Sequence, residues 1–275
     1  MRLKASLLSC LVTALGVTSQ RTCGTPAPLQ EHEEVSRVFR LTENANGLAK
    51  PVPININIYW HVVAANETVD GGFHPQSTLD RQLAVMNGAF APHDVQFTQV
   101  GADWTINASW AAESPVSITM KKALRKGTYA DLNIYFIPDT PLLGFASWPD
   151  AVVVGSDEFY MDGVVIRAAS VPGGSLSPYN GGHTATHETG HWLGLYHTFQ
   201  GDECGGDGDF VDDTPFEAEE AFGCPIGRDT CPDLPGADPV TNYMDYSDDA
   251  CFTHFTSGQG VRMHSFWDKY RAQYQ

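Results

Sequence analysis

Hydrophobic positions along this chain change their spacing several times, and each change marks an element. Over residues 54–63 the run Ile-Asn-Ile-Asn-Ile-Tyr-Trp-His-Val-Val alternates and is rich in β-branched residues, which predicts a strand. Over residues 76–90, Leu79, Leu83, Val85, Met86 and Phe90 recur near helical spacing, which predicts a long helix ending before Pro92. Further strands are expected over 95–100, 132–137 and 163–168. A short edge strand is expected over 144–148, before Pro149. A short helix is expected over 120–126, ended by Gly127. Gly181 and Gly182 lead into the strongest helical stretch of the chain. Beyond Phe199 the pattern dissolves into Gly, Asp, Pro and Cys, and a last helix is expected over about 257–271. Residues 20–50 are polar and show no apolar period, so they read as a leader or short pro-segment. The order of elements predicts an α/β upper half above an irregular lower half, with no internal repeat.

Composition narrows the class. The 275 residues are 42% hydrophobic and 18% charged, enough for the core of one medium domain, or of one domain cut by a cleft. The formal net charge of −17 argues against nucleic acid or an anionic membrane as partner. Residues 201–250 hold fifteen Asp and Glu but a single basic residue, Arg228. That stretch is either a solvated acidic loop or one whose carboxylates bind calcium or attract cationic substrates.

The first residues read as a secretory signal. Arg2 and Lys4 precede an apolar run from Leu7 to Val17, too short to span a bilayer, and cleavage is expected after Ser19. Secretion permits disulfides. Cys10 leaves with the signal, while Cys23, Cys204, Cys224, Cys231 and Cys251 remain; the last four can pair in three ways. Sequons at Asn66 and Asn107 are candidate glycosylation sites.

The chemistry lies in His187-Glu188-Thr189-Gly190-His191-Trp192-Leu193-Gly194-Leu195-Tyr196-His197. Residues four apart on a helix differ by about 40° in azimuth, so His187 and His191 project from one face, as two imidazoles on one zinc ion require. A straight helix would carry His197 about 80° away from that face. Gly194 supplies the bend, because glycine tolerates the left-handed conformation that ends helices. Three His ligands leave a fourth position for water, whose pKa the metal lowers, and Glu188 is placed as general base. The reading is amide hydrolysis without a covalent intermediate. The competing readings are a zinc-bound regulatory or binding protein without proteolysis, which the intact Glu188 disfavours, and a hydrolase of a non-peptide amide.

About fifty residues downstream lies Thr241-Asn242-Tyr243-Met244-Asp245-Tyr246. With the extended zinc motif, these residues resemble the metzincins, and among them the pappalysin family in its secreted fungal metalloprotease branch. The resemblance covers most of residues 50–275. It implies an α/β (α+β) metzincin-like catalytic domain: a twisted, mostly parallel five-stranded sheet with backing and active-site helices, over a disulfide-held lower subdomain with a C-terminal helix. The chain then divides into 1–19 (signal), 20–50 (leader or pro-segment) and 51–275 (catalytic domain), the last split into 51–197 above the cleft and 198–275 below.

The same resemblance assigns roles. Met244 becomes the Met-turn under the metal. Tyr246 is similar to a tyrosine near the metal whose phenol can donate to the oxyanion, with simple packing as the alternative. Asp249, with Asp248 competing, would line the pocket for the residue after the cut and favour Arg or Lys there. The implied disulfides are the crossed pair Cys204–Cys231 and Cys224–Cys251. Cys23, in Arg21-Thr22-Cys23-Gly24, would place a thiolate on zinc and keep the enzyme latent; otherwise it is a free or intermolecular thiol. Calcium would use oxygen ligands among Asp209, Asp212, Asp213, Thr214 and Glu217. His183 is expected beside the site without binding the metal. His61 is expected in the core, and His32, His74, His93, His254 and His264 lack ligand spacing. A peptide substrate would pair antiparallel with the edge strand at 144–148. The expected form is an extracellular, monomeric endopeptidase.

Overall fold

The computed structural model describes residues 20–46, 52–112, 117–138 and 140–275. The expected signal at 1–19 and its cleavage point after Ser19 lie outside the described residues. Five strands form one sheet in the order β2-β1-β3-β5-β4: β1 Ile54–Ala64, β2 Val95–Ile106, β3 Leu132–Ile137, β4 Gly144–Ala146 and β5 Val164–Arg167. All neighbours are parallel except β4, which runs antiparallel to β5 at one edge. The expected edge strand is therefore present, two residues shorter than the sequence pattern implied.

The long helix is α2, Gln76–Phe90, and it buries Leu79, Met86 and Phe90. Those side chains meet Ile56, Ile58, Trp60 and Val62 of β1 in the main core. Two short helices escape the sequence pattern: α3, Ala108–Ala111, and α5, Asp157–Met161. Each is a single turn capped by a side chain, Asn107 and Ser156 respectively, and one turn cannot display a period. The expected short helix is α4, Ile118–Leu124, two residues earlier than predicted because Ser117 caps it. Strand β2 runs six residues beyond the expected end at Val100. It pairs with β1 throughout, through a register shift between Ile58 and Tyr59.

The largest addition is α1, Gln30–Asn46, a helix within the polar leader, for which the sequence pattern predicted no element. Its buried positions, His32 and Ser36, lie one turn apart, with half-buried Phe39 and Glu43 following on the same face, while Val38 and Leu41 face solvent. The face that packs is thus mostly polar, which is why no apolar period marked it. It is anchored by Glu43, which accepts from Arg262 (2.9 Å) and from Ser265 (2.7 Å) on the last helix.

That helix, α7, Ser257–Tyr270, begins with a capping box of Thr256 and Gln259. Between α6 (His183–Trp192) and α7 the described chain has no helix or strand. Crossed disulfides Cys204–Cys231 and Cys224–Cys251 hold it, each closing a separation of 27 residues. Asp162 joins the halves: buried, it accepts from Trp192 Nε1 (3.0 Å) on α6 and from Arg271 Nη2 (2.9 Å) after α7. Burial pushes this carboxyl up, but Arg271 and Arg125 outweigh burial and hold it below the usual range.

Candidate metal centre and cleft

Helix α6 carries His187 and His191 on one face, and the chain leaves it at Gly194, whose φ of 93° is left-handed. Leu195 N donates to Gly190 O (2.9 Å) and closes the helix end. A side chain at 194 would also meet the Phe266 ring. The turn returns His197 to the other two imidazoles, as the spacing required.

The three rings converge. His191 Nε2 lies 3.2 Å from His187 Nε2 and 3.1 Å from His197 Nε2. His187 Nδ1 faces Tyr243 O (2.8 Å) and His191 Nδ1 faces Leu195 O (2.7 Å), so each Nδ1 carries the proton and each Nε2 presents a lone pair. The lone pairs of His187 and His191 face each other at 3.2 Å and repel unless a cation sits between them. Burial, reinforced by the neighbouring rings, pushes the His187 and His197 imidazoles well below their ordinary range, so protonation does not relieve the repulsion. The donor set fits a single nitrogen-preferring cation. Cys23 Sγ joins the three nitrogens in one group whose ligand atoms all lie within 4.8 Å of one another.

Glu188 lies buried beside this group. Burial drives its carboxyl up to about 7, partly offset by bonds from Thr25 and Cys23. The hydroxyl of Thr25 donates to Glu188 Oε2 at 2.9 Å, and Cys23 Sγ lies 3.4 Å from the same oxygen. Gly144 of β4 passes so close that any side chain there would strike Glu188. Met244 is fully buried under Gly190. Tyr246 sets its ring 5.1 Å from that of His197, and its hydroxyl accepts from Cys23 N at 3.3 Å.

The N-terminal segment lies along the cleft. Gly24 N donates to Gly144 O (2.8 Å) and Leu143 N to Thr22 O (2.9 Å), so the segment runs parallel to β4. Arg21 is buried and paired with Asp249, donates through Nε to Ser247 O, and stacks over the Tyr179 and Phe252 rings. Asp249 also accepts from Gly181 N at 2.7 Å. Sequence reasoning missed Arg21 and Thr25. Their nearness to Cys23 was the available signal.

The other candidates separate. His183 is half-buried against Tyr243 and takes no part in the nitrogen cluster. His61 is a core residue between Asp103 and Asn133, each at 2.9 Å. In the acidic loop, Asp207, Asp209, Asp212 and Thr214 line a cavity of about 40 Å³ with Arg40. Asp213 does not line it; it accepts from Gly258 N (2.8 Å) at the start of α7. Glu217 likewise lies outside it, bonded to Thr198 and Arg228. Asn66 is exposed and Asn107 half-buried, just past the ends of β1 and β2. No helix among the described residues is long and apolar enough to cross a membrane.

A helix-borne imidazole pair, a third imidazole returned by a turn and a buried carboxylate beside a sheet edge on which an extended segment lies define a metallopeptidase cleft. Residues 161–268 match the family described as pregnancy-associated plasma protein-A. The extracellular metalloprotease of Colletotrichum graminicola is 60% identical over the whole of both chains. That of Neurospora crassa is 46% identical over 99% of each. Mature mirolysin of Tannerella forsythia, solved in complex with a cleaved peptide, superposes with a TM-score of 0.66 at 28% identity, covering 80% of this chain and 93% of that one. The chain belongs to the pappalysin family, and it is an extracellular metalloprotease.

Proposed function

We propose that His187, His191 and His197 hold one catalytic zinc ion and that Glu188 is the general base of peptide-bond hydrolysis in the cleft. The observation that carries this reading is the convergence of three imidazole nitrogens beside a buried carboxylate. Zinc bound there supplies Lewis acidity and lowers the pKa of a coordinated water. The chain's own groups do the rest. Once the N-terminal segment leaves β4, the uncovered edge pairs an extended peptide, antiparallel to the strand. Glu188 takes a proton from the attacking water and passes it to the leaving amine. Tyr246 donates its phenol proton to the developing oxyanion. Asp249 receives a basic side chain from the residue after the cut, a reading supported by the arginine that already fills this pocket.

Residues 20–50 act as a latency segment and 51–275 as the working protease, divided at the cleft into 51–197 and 198–275. Cys23 stands in the place of the attacking water, Thr25 occupies the base and Arg21 the pocket. Because the segment runs parallel to β4, its peptide bonds are presented backwards relative to a substrate. A structural calcium is assigned to Asp209 and Thr214. Support comes from the small cavity they line and from Asp209, which burial pushes up to about 7.

The deciding experiment replaces Glu188 by Ala. Casein cleavage should vanish while elemental analysis still finds one zinc per chain, and a chelator should silence the wild type until zinc is restored. Cleavage at the wild-type rate by the variant removes Glu188 from the mechanism. A metal-free, active wild type ends the reading.

A further inference from the structure

A second pocket lies beside the cleft at the end away from Asp249. Its walls are Trp148, just past β4; Tyr196, next to His197; and Phe266 on α7. His32 of α1 fills it, stacked on Phe266 at 4.8 Å and tilted against Trp148 at 5.1 Å and Tyr196 at 5.8 Å. Both of its nitrogens are bonded: Nε2 donates to Pro149 O (3.2 Å), and Nδ1 accepts from the Tyr196 hydroxyl (2.9 Å). That hydroxyl in turn accepts from Ser36 (3.0 Å), which is the one arrangement of protons in which every group is satisfied. A cavity of about 360 Å³ continues from His32 past Trp148, Tyr129 and Tyr270.

The walls stand on the rest of the fold, without α1. Phe266 is seated against the glycine turn at 194, and Trp148 packs edge-on against both His191 and Tyr196 at 5.2 Å. One ring therefore separates this pocket from the metal centre. Its position along the cleft follows from the N-terminal segment. Arg21 lies at Asp249, Cys23 at the nitrogens, and Pro26 O accepts from Trp148 Nε1 at 2.9 Å. A substrate that places the residue after the cut at Asp249 sends its earlier residues toward Trp148.

We propose that, once the segment leaves, the Trp148–Tyr196–Phe266 pocket is a specificity subsite for a histidine side chain upstream of the scissile bond. The inference rests on the peptidase reading and on the release of residues 20–50. The wall chemistry selects the imidazole. Tyr196 can donate and the Pro149 carbonyl can accept, which matches one acceptor and one donor on a neutral ring. An aliphatic side chain leaves both wall groups unbonded, and phenylalanine fills the space with the same defect. A lysine or arginine would be desolvated between three rings; of the carboxylates on the body of the protein that line the adjoining cavity, Asp150 and Glu158 are exposed and Asp162 is already held by Arg125 and Arg271.

Two measurements test this. In the full-length His32→Ala chain, free imidazole should raise the melting temperature, and it should do nothing in the wild type or in the His32→Ala, Tyr196→Phe double variant. No response in the single variant overturns the pocket's chemistry whether or not the protein cuts peptides. In a peptide-library digest with the self-processed enzyme, His should be enriched at one position before the cut. Tyr196→Phe should lower kcat/KM for His peptides about five- to tenfold relative to Phe peptides, the worth of one neutral hydrogen bond. The preference after the cut should not change. Equal use of all residues upstream, in an enzyme that does cut before basic residues, overturns the proposal. A wild type that cuts nothing counts against the peptidase reading instead, and the imidazole measurement still decides the pocket.

Discussion

Acidification should loosen α1 from the body of the protein, with His32 setting the window. Docked, the imidazole is buried, and burial lowers its pKa to about 4 against the opposing pull of the Pro149 carbonyl and the Asp150 carboxylate. Undocked, it returns to about 6.5. The undocked form therefore binds the proton more tightly, and docking is strongest above pH 6.5 and weakens as the pH falls. At pH 5 the loss is about 1.36 × 1.5, or about 2 kcal/mol, a factor of about 30; near pH 4 it levels off at about 3 kcal/mol. The ion pairs of Arg37 with Asp207 and Arg40 with Asp212 also hold α1. They are largely exposed and screened by solvent, so they do not set the pH window. Hydrogen exchange of the amides of residues 30–46, corrected for the intrinsic rate at each pH, reads the docking equilibrium directly. Between pH 7.5 and 5 wild-type protection should fall about 30-fold. His32→Phe, which can still stack on Phe266 but cannot titrate, should change less than about threefold. Parallel curves for the two proteins would refute the argument, because the titrating group would then lie elsewhere.

Three further outcomes follow from the same contacts. Asp249→Asn should cut kcat/KM for peptides with Arg or Lys after the scissile bond by about 10- to 100-fold, with little effect on peptides carrying Leu there; a uniform loss would place Asp249 outside the pocket. Asp162→Asn leaves Arg125 and Arg271 buried beside a neutral partner, and chemical denaturation should register a loss of about 3–5 kcal/mol. Replacing Cys224 and Cys251 together by Ser releases a loop of 27 residues and should cost about 3.5 kcal/mol in the same assay; an unchanged midpoint would mean that the loop is ordered without its bridge.

The legible part of this protein is local. The spacing of His187, Glu188 and His191 needs only helical geometry, and Gly194 needs only its missing Cβ, so the core of the site could be read without coordinates. The strands β1 and β3 and the helices α2 and α7 also announced themselves: β1, α2 and α7 carry an apolar period that packs into the main core, and β3 is a short apolar run buried on both faces. Helix α1 stayed hidden for the converse reason: what it buries is an imidazole, a hydroxyl and a carboxylate side chain, satisfied by partners far away in sequence. The end of β2 was placed too early because its far half is an outer, half-exposed edge with little alternation.

Residue identity and short-range periodicity by themselves determined the candidate triad of imidazoles, the carboxylate beside it and the family resemblance. Only tertiary structure decided what stands in the cleft. Arg21 reaches Asp249 across 228 residues and Thr25 reaches Glu188 across 163, and no local propensity encodes such a pairing. Those contacts form because the folded chain offers buried charges that must be answered, and the N-terminal segment is the part of the chain that answers them.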